Sequence, residues 1–263
     1  MIGRSLRVGL ILAAIGLAAC ASRQPAPPKP ARALRVAVPT SSPPYAFQQG
    51  SSGLEVDFAR ELAPALGREL VLVPVEFTDL ISTLRRGQAD VVMAGMTITP
   101  AREVQVAFSA PYLRSGLVAV MRREDAQRYK SAASVLGTRG GVGVVAGTTG
   151  ERFVRERIRL GSISVYPTAG AAMGELRQGR IDLVVHDAPV GLWFVSRDEA
   201  NLAALVAPLD DEQLGWAFRR DDDALRAEVD RVLARWRADG TRERIVGRWL
   251  PYWQRLESAE RPR

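Results

Sequence analysis

The chain has little of the side-chain chemistry that metal and redox sites need. It contains one cysteine, Cys20, and one histidine, His186, among 263 residues. A zinc site built from several thiolates and imidazoles therefore lacks ligands, and a disulfide lacks its second thiol. A Ser-His-Asp triad has a single histidine to draw on. We expect no metal and no cofactor.

Lysine is also scarce, although the chain is basic. The formal net charge is +7 and the sequence pI is about 10.2, yet lysine occurs only at Lys29 and Lys130. The arginines that carry the remaining positive charge are scattered among acidic residues. No zinc-ligand spacing and no RNA-binding aromatic motif accompanies them. Nucleic acid is therefore not an expected partner.

No apolar run is long enough to cross a bilayer. The most apolar segment, residues 8–16, is shorter than the roughly 20 residues that a spanning helix needs, and it follows Arg4 and Arg7. Small residues and Cys20 come next, as at the end of a secretory signal. We predict that residues 1–20 are a lipoprotein signal peptide whose lipobox places Cys20 at the lipidated position. An ordinary signal peptide with an unrelated cysteine is the alternative.

Residues 21–33 are predicted to be a linker. Most of this segment is proline, alanine and polar residues, a composition that favours extended polyproline II and a semi-rigid spacer. Several acyl chains on Cys20 would anchor the chain stably to a membrane. The linker would then hold a soluble body away from that surface.

The body alternates short apolar runs with amphipathic stretches. Such alternation predicts an α/β architecture with largely parallel sheets, here in two lobes because the pattern occurs twice. Pro74 within the second run predicts either an edge strand or the start of a strand. The predicted strands are 34–38, 71–77, 90–94, 117–120, 142–145, 163–166, 181–185 and 214–218, and the predicted helices are 54–66, 79–84, one from 149, 173–176, 222–238 and 241–249.

Three loops follow the strands that end at Val38, Ala94 and Val185. Ligands in open α/β sheets bind beyond the carboxyl ends of strands. The second loop carries Gly95, Thr97 and Arg102. Arginine can grip a carboxylate with two parallel hydrogen bonds. The alternative is a surface arginine that pairs with Glu103 or stays solvated, which would contribute little.

Two further motifs could hold the charged ends of a ligand. The turn Gly147-Thr148-Thr149-Gly150 leads from a strand into a helix, where free amides can bind an anion and either threonine can cap the helix. It lacks the lysine of a phosphate-binding loop. Asp187 follows the strand that ends at Val185 and offers a carboxylate to an ammonium group, although it could simply cap the next helix.

Together these motifs resemble a known family. The segments "GMTITPAR" with "FSAPY", "GTTGE", "GRIDLVVHD" and "ADGTRERIVGRWL", spread over residues 34–250, are similar to those of extracytoplasmic solute-binding proteins that supply polar amino acids to ABC importers. The resemblance implies a two-lobed, type II periplasmic-binding-protein-like flytrap with two hinge strands, near Ser115 and Gly215. It assigns residues 34–114 and 215–263 to lobe 1 and residues 115–214 to lobe 2.

The resemblance also implies roles for individual residues. Arg102, Thr97, Thr149 and Gly150 take the ligand carboxylate, and Asp187 takes the ammonium with help from the Gly95 carbonyl. Phe77 matches an aromatic wall position, and Ser42 and His186 are also expected near the ligand. Characterised receptors often carry an aromatic wall where this chain has Ser42. No acidic residue is evident for a basic side chain, so a neutral or polar amino acid is favoured.

The implied partners are an amino acid, an ABC permease and, through the lipid, a membrane, with a monomeric protein on the periplasmic side of the envelope. Two other functions stay open at this point. Cyclohexadienyl and arogenate dehydratases share the family fold, and their chemistry needs a general acid in the cleft. A lipoprotein sensor or scaffold of the envelope would instead leave the cleft without an amino acid.

Overall fold

The computed structural model describes residues 32–205, 207–251 and 253. The signal peptide, Cys20 and most of the linker lie outside these residues. Within them the chain forms strands β1 (Ala33–Pro39), β2 (Glu69–Val75), β3 (Val91–Val92), β4 (Ala107–Phe108), β5 (Leu113–Arg122), β6 (Gly141–Val145), β7 (Ser162–Tyr166), β8 (Leu183–Asp187), β9 (Leu202–Leu205), β10 (Asp211–Leu214) and β11 (Ala217–Phe218).

Most of the helices fall between these strands, as the alternating pattern predicts, and the last two follow the final strand. The helices are α1 (Leu54–Ala65), α2 (Leu80–Arg85), α3 (Pro100–Glu103), α4 (Ala132–Leu136), α5 (Thr149–Arg157), α6 (Ala169–Arg177), α7 (Ala188–Val195), α8 (Asp223–Asp239) and α9 (Thr241–Trp249). Gly240, with φ of 78°, separates the last two. None of the helices in the described ranges has the length and apolar character that crossing a membrane requires.

The first sheet has the strand order β2-β1-β3-β11-β4. β1 runs parallel to β2 and β3, whereas β11 is antiparallel to β3 and β4. Pro74 lies in β2, at the edge of the sheet, where a missing backbone N–H is tolerated. The edge position predicted from this proline is confirmed.

The second sheet has the order β10-β5-β8-β6-β7, with β9 also paired to β5. β6 is parallel to β7 and β8, but β5 is antiparallel to β8, β9 and β10. The expectation of largely parallel sheets is therefore wrong in part. Each sheet is therefore mixed. The antiparallel strands β5, β10 and β11 lie next to the two points where the chain crosses from one sheet to the other.

The segment predicted as one strand over 214–218 is such a passage. β10 ends at Leu214 in the second sheet and β11 begins at Ala217 in the first. Between them, the Gly215 amide donates to the Met96 carbonyl at 3.0 Å and the Trp216 amide donates to the Ser109 hydroxyl at 3.0 Å. Because of these bonds, residues 215 and 216 take part in the strand pairing of neither sheet. The lobe boundaries at 114/115 and 214/215 stay a prediction.

A buried aromatic cluster surrounds the two passages. Tyr112, just before β5, stacks on Trp216 with ring centroids 5.2 Å apart. Phe58 of α1 contacts Tyr112, Trp216 and Trp236, at 5.6, 5.4 and 6.0 Å. Phe58 and Trp216 are fully buried. The cluster therefore packs both passages against helices α1 and α8.

Three more aromatic rings contact one another although they lie in parts of the chain that are attached to different sheets. Phe47 lies in the loop after β1, Trp193 in α7 and Trp249 in α9. The centroid of Phe47 is 5.4 Å from that of Trp193 and 5.8 Å from that of Trp249, and the two tryptophans are 6.1 Å apart. α7 packs on β5, β8 and β9 of the second sheet, whereas α9 packs on α1 and α8. The rings therefore meet across the space between the two sheets.

Truncation of Phe58 should be costly, because its ring contacts three others in the buried cluster. We expect Phe58→Ala to lose about 3–5 kcal/mol of unfolding free energy, measured by urea denaturation. Val104, which is 71% exposed, provides the control, since Val104→Ala should change stability by less than about 0.5 kcal/mol. Equal losses in both variants would contradict the central role of the cluster.

Candidate functional site

The loops after β1, β3 and β8 converge on one cleft, together with the turn before α5. The space between the surrounding atoms amounts to about 520 Å³, part of it open to solvent. Eight of the nine residues predicted to bind ligand line it: Ser42, Phe77, Gly95, Thr97, Arg102, Thr149, His186 and Asp187. Gly150, the next residue of α5, is buried and is not among the lining residues.

Two backbone oxygens, one from a loop of each sheet, hold Arg102 in the cleft. Its Nη1 donates to the Thr97 carbonyl at 2.8 Å, and its Nη2 donates to the Gly147 carbonyl at 3.1 Å. Thr99 caps α3 by accepting from the Arg102 amide. Burial lowers the pKa of the guanidinium, an effect that the charges of Asp187 and Glu212 oppose. Among the described residues no ion pair joins Arg102 to Glu103, so the alternative of a surface pair is not supported.

The Arg102 guanidinium also lies over an aromatic ring. Its Cζ is 5.8 Å from the centroid of Phe77, close enough for a cation–π interaction. Phe77 belongs to a short 3₁₀ helix that follows β2. The aromatic residue therefore forms one wall of the cleft beside the cationic fork.

The turn before α5 leaves amide donors beside Arg102. The Thr148 hydroxyl caps the helix by accepting from the Glu151 amide at 3.2 Å, and the Glu151 carboxylate accepts from the Gly147 amide at 2.9 Å. The amides of Thr149 and Gly150 have no acceptor among the described residues. Of the two threonines proposed as the cap, Thr148 takes that role, and the next two amides stay available for an anion.

Asp187 presents an uncommitted carboxylate on the second sheet's side of the cleft. It occupies the N-cap position of α7, but its side chain makes no capping hydrogen bond. The side chain lines the cleft although the residue is only 6% exposed. Its amide donates to Nδ1 of His186 at 2.8 Å, so that nitrogen acts as an acceptor. The interpretation of Asp187 as a simple helix cap is therefore wrong.

Tyr45 is a lining residue that the sequence analysis missed. It comes from the same loop as Ser42 and is 1% exposed. A Cβ on Gly95 would lie 2.4 Å from the Tyr45 ring, and Gly95 has φ of 62°. Only glycine fits this close contact without strain. The loop therefore has an aromatic residue in the cleft, three positions after the serine that stands where an aromatic wall was expected.

Glu55 is a second residue that the sequence analysis missed. This fully buried carboxylate accepts from the Gly95 amide at 2.6 Å, from Trp216 Nε1 at 2.9 Å and from the Tyr112 hydroxyl. Burial raises its pKa to about 7 despite these bonds. The signal was an acidic residue on the apolar stripe of α1, three positions before Phe58.

The comparison with protein families identifies the chain. Residues 34–252 match the model of bacterial extracellular solute-binding proteins, family 3. The protein belongs to this family. The two-lobed, type II α/β fold expected from the resemblance is confirmed by the mixed two-sheet architecture and by solved structures of similar fold.

Individual relatives point to transport more than to catalysis. The L-cystine-binding protein TcyJ of Escherichia coli is 29% identical over 82% of both chains. An ancestral arginine-binding protein solved with arginine is 31% identical, with a TM-score of 0.76 over 83% of this chain and 98% of its own. A cyclohexadienyl dehydratase of Pseudomonas aeruginosa is 28% identical over 83% of both chains. The dehydratase is the weaker match, which favours a binding protein over an enzyme.

The raised pKa of Glu55 makes stability depend on pH. A carboxyl with a pKa near 7 in the folded protein and 4.5 otherwise contributes stability below pH 4.5 that is lost as the pH rises through 7, on the order of 3 kcal/mol. We expect Glu55→Gln to flatten the fall in unfolding free energy between pH 4.5 and 7.

Chemical denaturation across this pH range checks the expectation. Glu61→Gln is the matched control, since Glu61 is an exposed carboxylate on the same helix. An unchanged pH profile in Glu55→Gln would show that the Glu55 carboxyl does not titrate in this window.

Proposed function

We propose that the protein binds a small amino acid in the cleft and delivers it to an ABC importer. The observation that carries the proposal is one cleft with a guanidinium and a carboxylate, neither of which forms an ion pair with an arginine, lysine, aspartate or glutamate among the described residues. Arg102 bonds only backbone carbonyls among the described residues, and the Asp187 side chain caps nothing. Burying both ends of a zwitterion is costly unless each is paired. These two groups can supply that pairing.

Neighbouring groups complete the binding of each charged end of the ligand. Arg102, the Thr97 side chain and the amides of Thr149 and Gly150 take the carboxylate. Asp187 takes the ammonium, which also donates to the Gly95 carbonyl. Ser42, Phe77 and His186 surround the ligand side chain. No bond to the ligand is made or broken, and neither a metal nor a cofactor takes part.

Binding is coupled to closure of the two lobes. The contact from Arg102 Nη2 to the Gly147 carbonyl joins the loop after β3 to the turn before α5. A ligand carboxylate between these segments would accept from Arg102 and from the turn amides together. It therefore binds the closed arrangement better and shifts the population towards it. Residues near Ser115 and Gly215 would act as the hinges.

The envelope location follows from the N-terminus and the family. Members of the family are extracellular by description. We propose that Cys20 is lipidated after removal of the preceding signal, and that residues 21–33 tether a monomeric body on the periplasmic side of the membrane. The tether would let the cleft reach the permease.

Removal of either charged group should weaken binding strongly. Arg102→Ala or Asp187→Ala leaves one charged end of the ligand buried without a partner, so each should lose at least about 2 kcal/mol of binding free energy, well over tenfold in affinity. Arg102→Lys should also bind weakly, because lysine keeps the charge but not the fork. Titration calorimetry against the standard amino acids measures these losses.

Arg159→Ala is the control for the arginine variants, since Arg159 is exposed and distant in sequence from the cleft loops. Its affinity should match that of the unmodified protein. Retained affinity in Arg102→Ala or Asp187→Ala would remove the corresponding carboxylate or ammonium assignment.

The lipid anchor has a separate test. Cys20→Ser removes the thiol that acyl chains require, so the full chain should lose labelling by radioactive palmitate and move from the membrane to the soluble periplasmic fraction. Ser22→Ala should stay labelled and membrane-bound. An unmodified protein that is unlabelled and soluble would contradict the anchor without affecting ligand binding.

A further inference from the structure

Glu212 is a buried carboxyl in the strand that leads to the passage between the two sheets. It lies in β10, opposite Ser115 of β5 and two residues before Leu214, which bridges to Thr97 of the cleft loop. The residue is 4% exposed, and its Oε2 has no hydrogen-bond partner among the described residues. A buried polar atom of this kind costs free energy unless another group satisfies it.

A second unsatisfied polar atom belongs to a residue that lines the cleft. The Tyr45 hydroxyl is buried and also lacks a hydrogen-bond partner within the described part of the chain. Burial, followed by the charges of Asp187, Glu55 and Glu212, raises its pKa, so the hydroxyl keeps its proton. Tyr45 lines the cleft. It can donate to a carboxylate and accept from a ligand N–H at the same time.

The charged groups around Glu212 come from several elements. Asp187 of β8 and Asp210 before β10 are acidic, Arg102 of α3 is cationic, and the Thr149 hydroxyl of α5 is a neutral donor. Burial and then Asp187 raise the pKa of Glu212 to about 8, whereas Thr149 and Arg102 act in the opposite direction. Near pH 7 the carboxyl is therefore mostly protonated, because a second buried negative charge beside Asp187 is unfavourable.

The charge balance of the cleft differs between ligand classes. Arg102 and Asp187 together match the two ends of a zwitterion, and the protonated Glu212 adds no charge. A ligand with one more positive charge needs a second carboxylate, and ionised Glu212 would provide it. A neutral or polar amino acid is expected from the sequence because no acidic residue for a basic side chain is evident in its binding motifs.

We propose that Glu212 is a specificity-determining residue that gives amino acids with a cationic side chain an acceptor beside Asp187. This inference rests on the proposed function of amino-acid binding. When such a ligand enters, the Glu212 carboxyl releases its proton to solvent, and a side-chain N–H of the ligand donates to Oε2 and to the Tyr45 oxygen. A zwitterionic ligand leaves the proton in place.

Proton release distinguishes this role from a purely structural one. Titration calorimetry at pH 7 in phosphate, imidazole and Tris buffers counts released protons, with L-arginine and L-lysine as cationic probes and L-glutamine as the neutral probe. We expect the release of about 0.5–1 proton per bound cationic ligand and no release on binding of glutamine. At pH 9 the release should disappear, because Glu212 is already ionised.

Substitution of Glu212 tests the assignment directly. In Glu212→Gln the ratio of arginine affinity to glutamine affinity should fall at least tenfold, and proton release should be lost. Tyr45→Phe removes only the hydroxyl and should lower the same affinity ratio. This variant replaces Glu212→Gln as the test if Glu212→Gln does not fold. Glu61→Gln should leave the ratio unchanged.

Three results would overturn the inference. They are an unchanged affinity ratio in both variants, proton release that persists in Glu212→Gln, and binding of glutamine with no binding of arginine or lysine. If the unmodified protein binds no amino acid at all, the proposed function itself is wrong. The two failures are therefore distinguishable.

Discussion

One buried carboxylate holds the binding loop to both passages between the sheets. Glu55 accepts from the Gly95 amide in the loop, from Tyr112 before β5 and from Trp216 after β10. Because these three segments are remote in sequence, no local propensity could bring them together. The aromatic rings around Phe58 exclude water from this junction and strengthen its hydrogen bonds. The position of the cleft loop thus depends on a charge-bearing group within the core of the molecule.

The protein positions the charged groups of the cleft but leaves their charges incompletely neutralised. Arg102 is oriented by two carbonyl oxygens rather than by an acid, and the Asp187 carboxylate is left free of capping. Backbone dipoles position the cation while leaving its full charge available to a ligand. The Thr149 and Gly150 amides extend the same arrangement on the other side. Such groups favour a charged ligand most when it contacts both sides, as the proposed closure requires.

Local sequence signals were sufficient for the elements that carry the best-defined site residues. Apolar alternation and cap residues indicated α5 and the strand that ends at Asp187, because periodicity and capping are determined within a few residues. The break between β10 and β11 was not predictable, since the partners that divide this apolar run are Met96 and Ser109. Tyr45 and Glu212 were missed for a similar reason. Their surroundings come from elements far apart in the chain.

The rings of Phe47, Trp193 and Trp249 meet outside the ligand cleft, on segments attached to different sheets. Any separation of the lobes must pull Trp193 away from its two neighbours and expose indole surface to water. Tryptophan emission is sensitive to that change of surroundings. The proposed closure would therefore have an intrinsic optical reporter that needs no attached dye.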